Sequence, residues 1–448
     1  MKQLLALAAA STALALAACS GNAGSTAAQV GGDPSLPKPK QYLFPPMKIA
    51  AAKGWGNGQT PSVAPGLKIE AVATGLKHPR SLYVLPNGDI LVGESDGPPE
   101  PIHRPKDIIM GLVQAHGHSP VKAAQQITLL RDTNGDGVAD VRSLFIPNLV
   151  SPFGMTLIGH DLYVANTDAL VRFPYQGGET KVTGPASKVV DLPGGPIDHH
   201  WTKSLVASRD GTRFYVGVGS NSNITENGLE AEKERAAVWE IDRATGAHRL
   251  YATGIRNPTS LDWNPATGQL WAVANERDEI GPNLVPDYLT SVREGAFYGW
   301  PYSYYGQHID PRVMPQRPEL VKTAIPPDYA LCSHVAPLGL AFYTASNLPY
   351  AAGGAFVGEH GSWDRSPFSG YKVVYVPFRG GRPAGKPQDV VTDFIGPDGN
   401  ARGRPVNVAI DKTGALLIAD DLGNTVWRVS AAARTAAAGT GRGKSRPG

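Results

Sequence analysis

Short polar segments that could carry chemistry lie where predicted strands begin. His199-His200 stands before one predicted strand pair, Arg256-Asn257 before the next, and Arg404 before the last. A histidine can act as a general base near neutral pH, and a guanidinium can bind a carboxylate or a developing oxyanion. Taken singly, a structural loop histidine and a surface ion pair are the ordinary alternatives. Their shared position at strand ends favours one common site.

Further charged and aromatic segments follow predicted strands. Residues 276–278 (ERD) come directly after the strand LWAVAN, and residues 360–365 (HGSWDR) come after the fifth strand pair. Residues 294–302 (EGAFYGWPY) form an aromatic loop, which could stack on a planar ligand or be buried as ordinary packing. Five of six strand pairs therefore carry His, Arg or a carboxylate at a strand end.

A separate acidic loop resembles a calcium-binding loop. Its oxygen-bearing side chains stand at positions one, three, five and nine, with Gly at position six; they are Asp132, Asn134, Asp136 and Asp140. Position twelve is Ser143, so the bidentate Glu of a helix–loop–helix site is missing, and the flanking segments are strand-like. We predict a structural Ca²⁺ loop here, and the alternative is a simple acidic turn.

The elements that must position these residues are hairpins, repeated six times. Period-two alternation flanks a PNG, RDG or TG type of turn in each copy, which indicates paired antiparallel strands. The copies are residues 81–94, 154–166, 204–219, 260–275, 339–360 and 407–421. Their spacing suits four-stranded blades with insertions. We therefore predict an all-β, six-bladed β-propeller over residues 67–430, with long loops on its top face.

One strand must close that ring, because an open ring exposes sheet edges. The segment LKIEAVA, residues 67–73, precedes the first repeat and is predicted to supply a strand to the last blade. A pair of β-sandwiches is the alternative architecture, but a single repeated pattern favours one propeller.

Composition agrees with a strand-rich, exported protein. The 448 residues include 52 Gly and 39 Pro, about a fifth of the chain against roughly an eighth usually. A hydrophobic share of 42% with 18% charged residues excludes a disordered chain. The net charge of +3 makes nucleic acid a poor partner. No Gly-rich nucleotide loop and no Gly-x-Ser-x-Gly elbow occurs in the sequence.

The N-terminus is typical of export. Residues 1–18 read as a signal peptide that ends in small residues before Cys19, a pattern that resembles the bacterial lipoprotein signal. An ordinary secretory peptide with a chance cysteine is the alternative. Residues 19–66 are predicted to be a lipidated cysteine and flexible tether, and residues 431–448 a disordered tail. Cys332 is the remaining cysteine, so the mature fold has no intrachain disulfide.

Several motifs together resemble a known family. The segments HHWTKSL, TGIRNPTSLDW, ANERDEIGPNL, EGAFYGWPY, GEHGSWDRSPFSGYKVVYV and GRPVNVAID are similar to those of the bacterial sorbosone dehydrogenases. A more distant resemblance is to the soluble quinoprotein glucose and aldose sugar dehydrogenases. The resemblance implies a six-bladed propeller that binds pyrroloquinoline quinone (PQQ) and Ca²⁺ on its top face. It also implies oxidation of a sugar or sugar aldehyde, with electrons passed to a separate acceptor such as a cytochrome or a quinone.

The same resemblance implies roles for individual residues. His200 takes the place of the family's catalytic base, and Arg256 that of the group facing the reduced quinone. The implied cofactor contacts are Arg256, Asn257, Arg277, His360, Trp363, Arg365 and Arg404. Backbone oxygens of Glu276, Arg277 and Asp278 match the strand end that holds the active-site Ca²⁺. Two positions depart from the glucose enzymes, because His199 replaces an Asp and Arg277 replaces a Gln.

Two other functions fit a propeller with such loops. One is a metal-dependent six-bladed lactonase, which would need carboxylates or histidines around the channel. The other is a non-catalytic propeller that binds a partner protein or glycan. For the dehydrogenase, the expected partners are a small sugar substrate, an external electron acceptor and a membrane. The expected location is a bacterial membrane, reached through the lipid anchor, with the protein facing the periplasm.

Overall fold

The computed structural model of the protein describes residues 26–40, 48–99, 101, 116, 117 and 119–432. The predicted signal peptide, Cys19 and residues 433–448 of the predicted tail lie outside these residues. No helix in the described ranges is long and apolar enough to cross a membrane.

The described chain is built almost entirely of short strands, as its alternating sequence and frequent turn residues require. One short α-helix, α1 (Pro318–Val321), and two 3₁₀ turns (Thr26–Gln29 and Leu229–Glu232) interrupt them. The strands are, in chain order, β1 Val30–Gly31, β2 Ser62–Val63, β3 Leu67–Ala73, β4 Pro79–Val84, β5 Ile90–Glu94, β6 Gln126–Arg131, β7 Val141–Ile146, β8 Gly154–Ile158, β9 Asp161–Ala165, β10 Ala169–Pro174, β11 Ser187–Asp191, β12 Lys203–Ala207, β13 Arg213–Val218, β14 Ala237–Asp242, β15 His248–Thr253, β16 Asn257–Trp263, β17 Leu270–Asn275, β18 Pro286–Ser291, β19 Ser303–Tyr304, β20 His308–Ile309, β21 Tyr329–Ser333, β22 Pro337–Phe342, β23 Ala355–Glu359, β24 Lys372–Val376, β25 Phe378–Arg379, β26 Arg382–Pro383, β27 Gln388–Thr392, β28 Pro405–Ile410, β29 Leu416–Asp420 and β30 Thr425–Ala431.

Six antiparallel four-stranded blades form the ring, which confirms the predicted six-bladed β-propeller. Blades 1, 2 and 3 are β4–β7, β8–β11 and β12–β15. Blade 4 consists of β16, β17, β18 and β21, and blade 5 of β22, β23, β24 and β27. Blade 6 combines β28, β29 and β30 with β3, whose Leu67 lies opposite Ala431. Strand β3, from before the first repeat, therefore closes the ring as predicted by pairing with β30 of blade 6.

Neighbouring blades pack face to face through apolar side chains and close backbone contacts. Between blades 2 and 3, the buried side chains of Tyr163, Leu205 and Phe214 share one cluster. Gly339 and Gly358 are paired across blade 5, and a Cβ on either would come within 2.4 Å of the Val406 carbonyl oxygen of blade 6. Only glycine permits this approach, which fixes the spacing of the blades.

The up-and-down order of strands brings two kinds of loop to one face of the ring. The loop entering the first strand of each blade and the loop leaving its second strand open on the same side. His200, Arg256 and Arg404 lie in the first kind of loop, and Asp278 and residues 360–365 in the second. The strand-end positions noted in the sequence are thus gathered on one face.

The described parts of the predicted tether pack against the ring, which differs from the expectation of a flexible segment. Strand β1 pairs with β21 at the edge of blade 4, and β2 pairs with β27 at the edge of blade 5. Between them, Ala50 is 1% exposed. Edge strands offer unpaired backbone groups, and this segment satisfies them. The composition of this segment does not indicate these contacts.

Candidate functional site

A cavity of about 340 Å³ opens on the face that carries these loops. Loops of blades 3 to 6 supply most of its wall. Ile49, which precedes the first blade, and Gly117, which lies between β5 and β6, complete it. The lining residues are Ile49, Gly117, His199, His200, Arg256, Asn275, Asp278, Asp287, His334, Ala336, His360, Gly361, Ser362, Trp363, Tyr371 and Arg404.

His200 is held in a form that can accept a proton. Its Nδ1 lies 2.9 Å from both the carbonyl oxygen and the Oγ of Ser220, and that Oγ donates onward to the Ser222 carbonyl. Nδ1 therefore carries the hydrogen, which leaves Nε2 as the acceptor of the ring. Burial, assisted by the Arg256 charge and by His199, holds the pKa of His200 well below 6.5. The imidazole is consequently neutral at physiological pH.

A buried ionic cluster fixes the loop that carries His200. The Asp198 carboxylate accepts hydrogen bonds from Arg235 Nη1 at 2.6 Å, Lys203 Nζ at 3.1 Å and Thr167 Oγ1 at 2.6 Å. Asp198 and Lys203 have no exposed side-chain surface. Because Lys203 lies on β12, Arg235 in the loop before β14 and Thr167 in the loop between β9 and β10, the cluster ties the His200 loop to blades 2 and 3.

Arg256 lies in the cavity wall with its guanidinium fully engaged. Nη1 donates to the Glu276 carbonyl at 2.6 Å, and Nη2 donates to Asp278 Oδ2 at 3.0 Å and Asn223 Oδ1 at 3.1 Å. Burial raises the pKa of Asp278, but Arg256 and His334 outweigh it and lower that pKa to about 2. The pair is therefore ionised and places a cation and an anion side by side in the cavity.

Asp278 also belongs to a cluster that could hold a metal ion. Among the described residues, Asp278, His334 and Asp364 form the one group whose potential ligand atoms lie within 4.8 Å of one another. His334 Nδ1 is 3.3 Å from Asp278 and 3.4 Å from Asp364, and its Nε2 is 3.0 Å from the Gly281 carbonyl oxygen. Burial lowers the pKa of His334, but Asp364 and Asp278 raise it to about 10. A proton on His334 thus offsets the charge of Asp278, and burial raises the pKa of Asp364 to about 7 although His334 opposes that shift.

The backbone oxygens predicted to bind Ca²⁺ already accept hydrogen bonds. The Glu276 carbonyl accepts from Arg256, and the Asp278 carbonyl accepts from Asn223 Nδ2 at 3.2 Å and from Arg277 Nη1. Neither Glu276 nor Arg277 lines the cavity. The carboxylates of Asp278 and Asp364 instead offer the hard oxygen ligands that Ca²⁺ prefers.

Arg404, His360 and Trp363 line the cavity where the resemblance places cofactor contacts. The Nε of Arg404 is buried and has no hydrogen-bond partner among the described residues. His360 Nε2 lies 3.0 Å from Asp421 Oδ2. A guanidinium whose buried Nε is unsatisfied, in a lining that includes Trp363 and Tyr371, suits a planar anionic ligand, so the residues present fit a tricarboxylated quinone.

Three other predicted cofactor contacts do not line the cavity. Arg277 is 1% exposed, and its Nε contacts the Asp310 carboxylate in the core. Arg365 is wholly buried, with Nη1 at 3.4 Å from the Ser333 carbonyl. Asn257 lies beneath His200 at the start of β16, where a Cβ on Gly219 would come within 2.5 Å of both residues. These side chains turn inward because their polar partners, such as Asp310 for Arg277 and the Ser333 carbonyl for Arg365, lie inside the ring.

The aromatic loop is packing, which corrects the stacking alternative. Tyr298 is 1% exposed and Trp300 3% exposed, and neither lines the cavity. Trp300 Nε1 donates to the Asn223 carbonyl at 3.0 Å. Because Asn223 contacts both Arg256 and Asp278, the loop supports the site from below.

Sequence reasoning missed several contributors to the cavity and its cluster, among them His334, Asp364, Tyr371 and Ile49. His334 immediately precedes the fifth blade, the same position that singled out His200, Arg256 and Arg404, so its placement was a usable signal. Asp364 stands within the HGSWDR segment, next to Arg365, which is the predicted cofactor contact. Nothing comparable marked Tyr371 or Ile49.

The acidic loop between β6 and β7 folds as a series of side-chain-to-backbone turns. Asp132 accepts from the Gly135 and Gly137 amides at 2.7 and 2.8 Å, and Asp136 accepts from the Val138 amide at 2.8 Å. Among the described residues, the three carboxylates of this loop do not lie as close together as the potential ligand atoms of Asp278, His334 and Asp364 do. The structural Ca²⁺ loop formed by Asp132, Asn134, Asp136 and Asp140 stays a prediction.

Replacing Asp136 tests that loop. We expect Asp136→Ala to abolish a calcium-dependent rise in melting temperature, because ion binding to the native state alone stabilises it by about 2.7 kcal/mol at a hundredfold excess over Kd. The measurement is a calcium titration of the melting temperature with the cavity ion held saturated. Asp210→Ala is the matched control, because Asp210 also caps an exposed turn, through the Thr212 amide. Identical calcium shifts in wild type and Asp136→Ala would exclude the loop as a site.

Known proteins share both sequence and fold with this chain. A family model described as Glucose / Sorbosone dehydrogenase matches residues 158–362, a little under half of the chain. A second model, TrAA12-like, matches residues 319–432. An uncharacterized protein of Borreliella burgdorferi is 30% identical over 241 residues, which cover 53% of this chain and 62% of that relative. The chain thus spans less than two thirds of that relative's length.

Solved structures show the same ring at low sequence identity. The holo PQQ domain of pyranose dehydrogenase from Coprinopsis cinerea has a TM-score of 0.67 and 19% identity, covering 86% of this chain and 100% of that one. A calcium structure of the Trichoderma reesei carbohydrate-active enzyme family AA12 has a TM-score of 0.68 and 18% identity, covering 86% and 99%. At these low sequence identities, the similarity establishes a shared fold only. Together with the family model, they confirm that this chain is similar to the glucose and sorbosone dehydrogenases.

Proposed function

We propose that the protein oxidises a small sugar or sugar aldehyde with PQQ and Ca²⁺ bound in the cavity. One observation carries the proposal: neutral His200, with Nδ1 fixed on Ser220, stands in a cavity that is also lined by Arg256, Arg404 and Asp278, and the Asp278 carboxylate clusters with that of Asp364. A base, cations for an anionic cofactor and oxygen ligands for a hard ion are the parts such an oxidation needs. The family model and the PQQ domain from Coprinopsis cinerea support it.

Each residue has a separate task in this mechanism. His200 Nε2 accepts the proton of the substrate hydroxyl, and the Ser220 contact keeps the ring oriented for that transfer. Arg404 would bind a cofactor carboxylate, Arg256 would stabilise the reduced cofactor's negative charge through its own positive charge, and Asp278 with Asp364 would hold Ca²⁺. When bound, the quinone supplies the group that takes up the hydride equivalent, and Ca²⁺ supplies Lewis acidity. Electrons then pass to a separate acceptor, either a cytochrome or a quinone.

A metal-dependent lactonase is the second candidate, and the cluster of Asp278, His334 and Asp364 favours it. Carboxylates and a histidine around one point are what a hydrolytic metal site requires. The cavity arginines count against it, because a neutral lactone substrate carries no anionic group for Arg404 to bind before the ring opens. A non-catalytic binding propeller would have no use for a neutral, oriented His200.

Reconstitution separates these functions. The purified protein is stripped with a chelator, supplied with PQQ and Ca²⁺, and assayed for dye reduction with a panel of aldoses and sugar aldehydes. Lactone hydrolysis is measured in parallel with Ca²⁺ alone. Dye reduction that needs both PQQ and Ca²⁺ supports the dehydrogenase. Lactone hydrolysis without quinone would replace it with the hydrolase, and inactivity in both assays despite quinone binding would favour the binding module.

We also propose that the protein is exported and attached to a bacterial membrane through lipid on Cys19, facing the periplasm. The small residues before Cys19 and the apolar run from residue 4 to 18 support this location. Because acyl chains provide the anchor, Cys19→Ala should move the protein from the membrane to the soluble fraction and change its processing. Fractionation of cells that express each form is the measurement. An unchanged membrane fraction for the variant would contradict lipidation.

A further inference from the structure

We propose that residues 48–55, which we call the strap, form a wall of the substrate cavity and set the size of sugar that can enter. The inference rests on the proposed function for the identity of the substrate. It assigns a role in specificity to a stretch that precedes the propeller and belongs to none of its blades.

The strap is fastened to the loop-bearing face at both ends. The Lys48 amide donates to the Trp363 carbonyl at 2.8 Å, so the strap begins against the cavity residue of blade 5. Its other end is held by Trp55, whose Nε1 donates to Asp420 Oδ2 at 2.7 Å. Between them, the Lys53 amide donates to the Ala401 carbonyl at 2.8 Å, and the Ala401 amide to the Ala51 carbonyl at 2.9 Å. Backbone bonds along this length hold the strap in one register.

Of two adjacent strap residues, one lines the cavity and the other contacts an arginine that lines it. Ile49 lines the cavity. It lies between Lys48, which is hydrogen-bonded to Trp363, and Ala50, which is hydrogen-bonded to Arg404. Ala50 is 1% exposed, and its carbonyl accepts from Arg404 Nη2 at 3.4 Å. The strap therefore adds an aliphatic surface to the cavity and helps to position the arginine whose Nε is unsatisfied.

An aliphatic wall suits the C–H surface of a sugar ring. Ile49 supplies it, in a lining whose aromatic residues, Trp363 and Tyr371, are left to the planar cofactor under the proposed function. Backbone hydrogen bonds hold the strap in place, so Ile49 cannot move away with it. A substrate that extends past the strap side of the cavity must therefore displace the Ile49 side chain. The strap thus favours monosaccharide-sized substrates over longer saccharides.

The test compares substitutions at two neighbouring strap positions. Ile49→Ala enlarges the cavity and Ile49→Trp fills it, whereas Ala51 is exposed and outside the lining, so Ala51→Trp is the matched control. The ratio of kcat/KM for a disaccharide to that for its monosaccharide should rise about tenfold or more in Ile49→Ala, mainly through KM. It should fall in Ile49→Trp and stay unchanged in Ala51→Trp. Ratios equal to wild type in both Ile49 variants would overturn the proposal.

A second readout does not depend on turnover. In a chain without Cys19, Cys332 is buried, so an introduced thiol is the reactive one. We expect the Ile49→Cys thiol to react with a bulky thiol reagent more slowly than the Ala51→Cys thiol, and added PQQ with Ca²⁺ to slow only the former. Equal rates at the two positions would show that the strap is not a cavity wall. If wild type oxidises no sugar while the rates still differ, the proposed oxidation fails and the wall assignment stands.

Discussion

The His200→Ala variant should oxidise sugars at least about a hundredfold more slowly than wild type, because removal of a general base typically costs 10²–10⁴-fold in rate. Binding of PQQ and Ca²⁺ should be nearly unchanged, because the cavity arginines and the Asp278–Asp364 carboxylates stay in place. Steady-state kinetics with dye reduction gives the rate, and quinone titration of the apo-protein gives the binding. A loss in kcat with little change in cofactor affinity identifies a group that acts in the transition state.

His199 provides the internal control for this experiment. Its ring lies 4.8 Å from that of His200 and also lines the cavity, but its side chain is exposed. His199→Ala should therefore reduce the rate far less than His200→Ala, mainly by removing one of the groups that lower the pKa of His200. If His199→Ala abolished turnover and His200→Ala stayed near wild type, the base would be the neighbouring histidine.

The acid limb of the pH profile gives a second check on the same group. Because burial, Arg256 and His199 depress the pKa of His200, the base stays neutral through the usual range and protonates only well below pH 6.5. Sugar oxidation should hence lose rate on the acid side below the ordinary histidine range. Measuring kcat against pH in wild type and His199→Ala should show the acid limb move upward in the variant.

The fold could be predicted from local pattern because each blade repeats the same hairpin. Alternation around turns such as the one at Gly211 marks paired strands, and six copies determine the number of blades. The closing strand β3 was predictable for the same reason, because an unpaired alternating segment remained before the first repeat. The packed strap was not, because its contacts are backbone hydrogen bonds to distant loops and leave no periodic trace in residues 48–55.

The site could be predicted to the level of the strand end but not of the single side chain. Arg277 and Asp278 are adjacent, yet one pairs with Asp310 in the core and the other lines the cavity. Trp363 and Arg365 differ in the same way, two residues apart in an irregular loop. Which residue of a loop turns inward depends on partners far away in sequence, and a motif does not carry that information.

The Asp198→Asn variant should lose about 3–5 kcal/mol of unfolding free energy, because it leaves two buried cations without their anion. Lys203 Nζ lies 3.1 Å and Arg235 Nη1 2.6 Å from the Asp198 carboxylate, and all three side chains are nearly inaccessible to solvent. The amide keeps the size of the carboxylate, so the loss reports charge and not a cavity. Urea denaturation followed by tryptophan fluorescence gives the free energy. The matched control is Asp191→Asn. Asp191 Oδ1 lies 2.7 Å from Lys188 Nζ and both side chains are exposed, so this variant should lose less than about 1 kcal/mol of unfolding free energy.

The deficit of Asp198→Asn should shrink as the pH rises, which distinguishes an uncompensated charge from a lost hydrogen bond. Burial lowers the pKa of Lys203 from 10.5 to about 8, and Asp198 opposes that shift, so the variant's Lys203 pKa falls further. Between the native and unfolded pKa values the unfolded chain holds more protons, and native stability therefore rises with pH. In the variant this gain begins at lower pH, because Lys203 becomes neutral sooner and one of the two unpaired charges disappears. A deficit that stays constant from about pH 7 to about pH 9 would contradict the assignment of Asp198 as the anion that compensates Lys203 and holds the His200 loop.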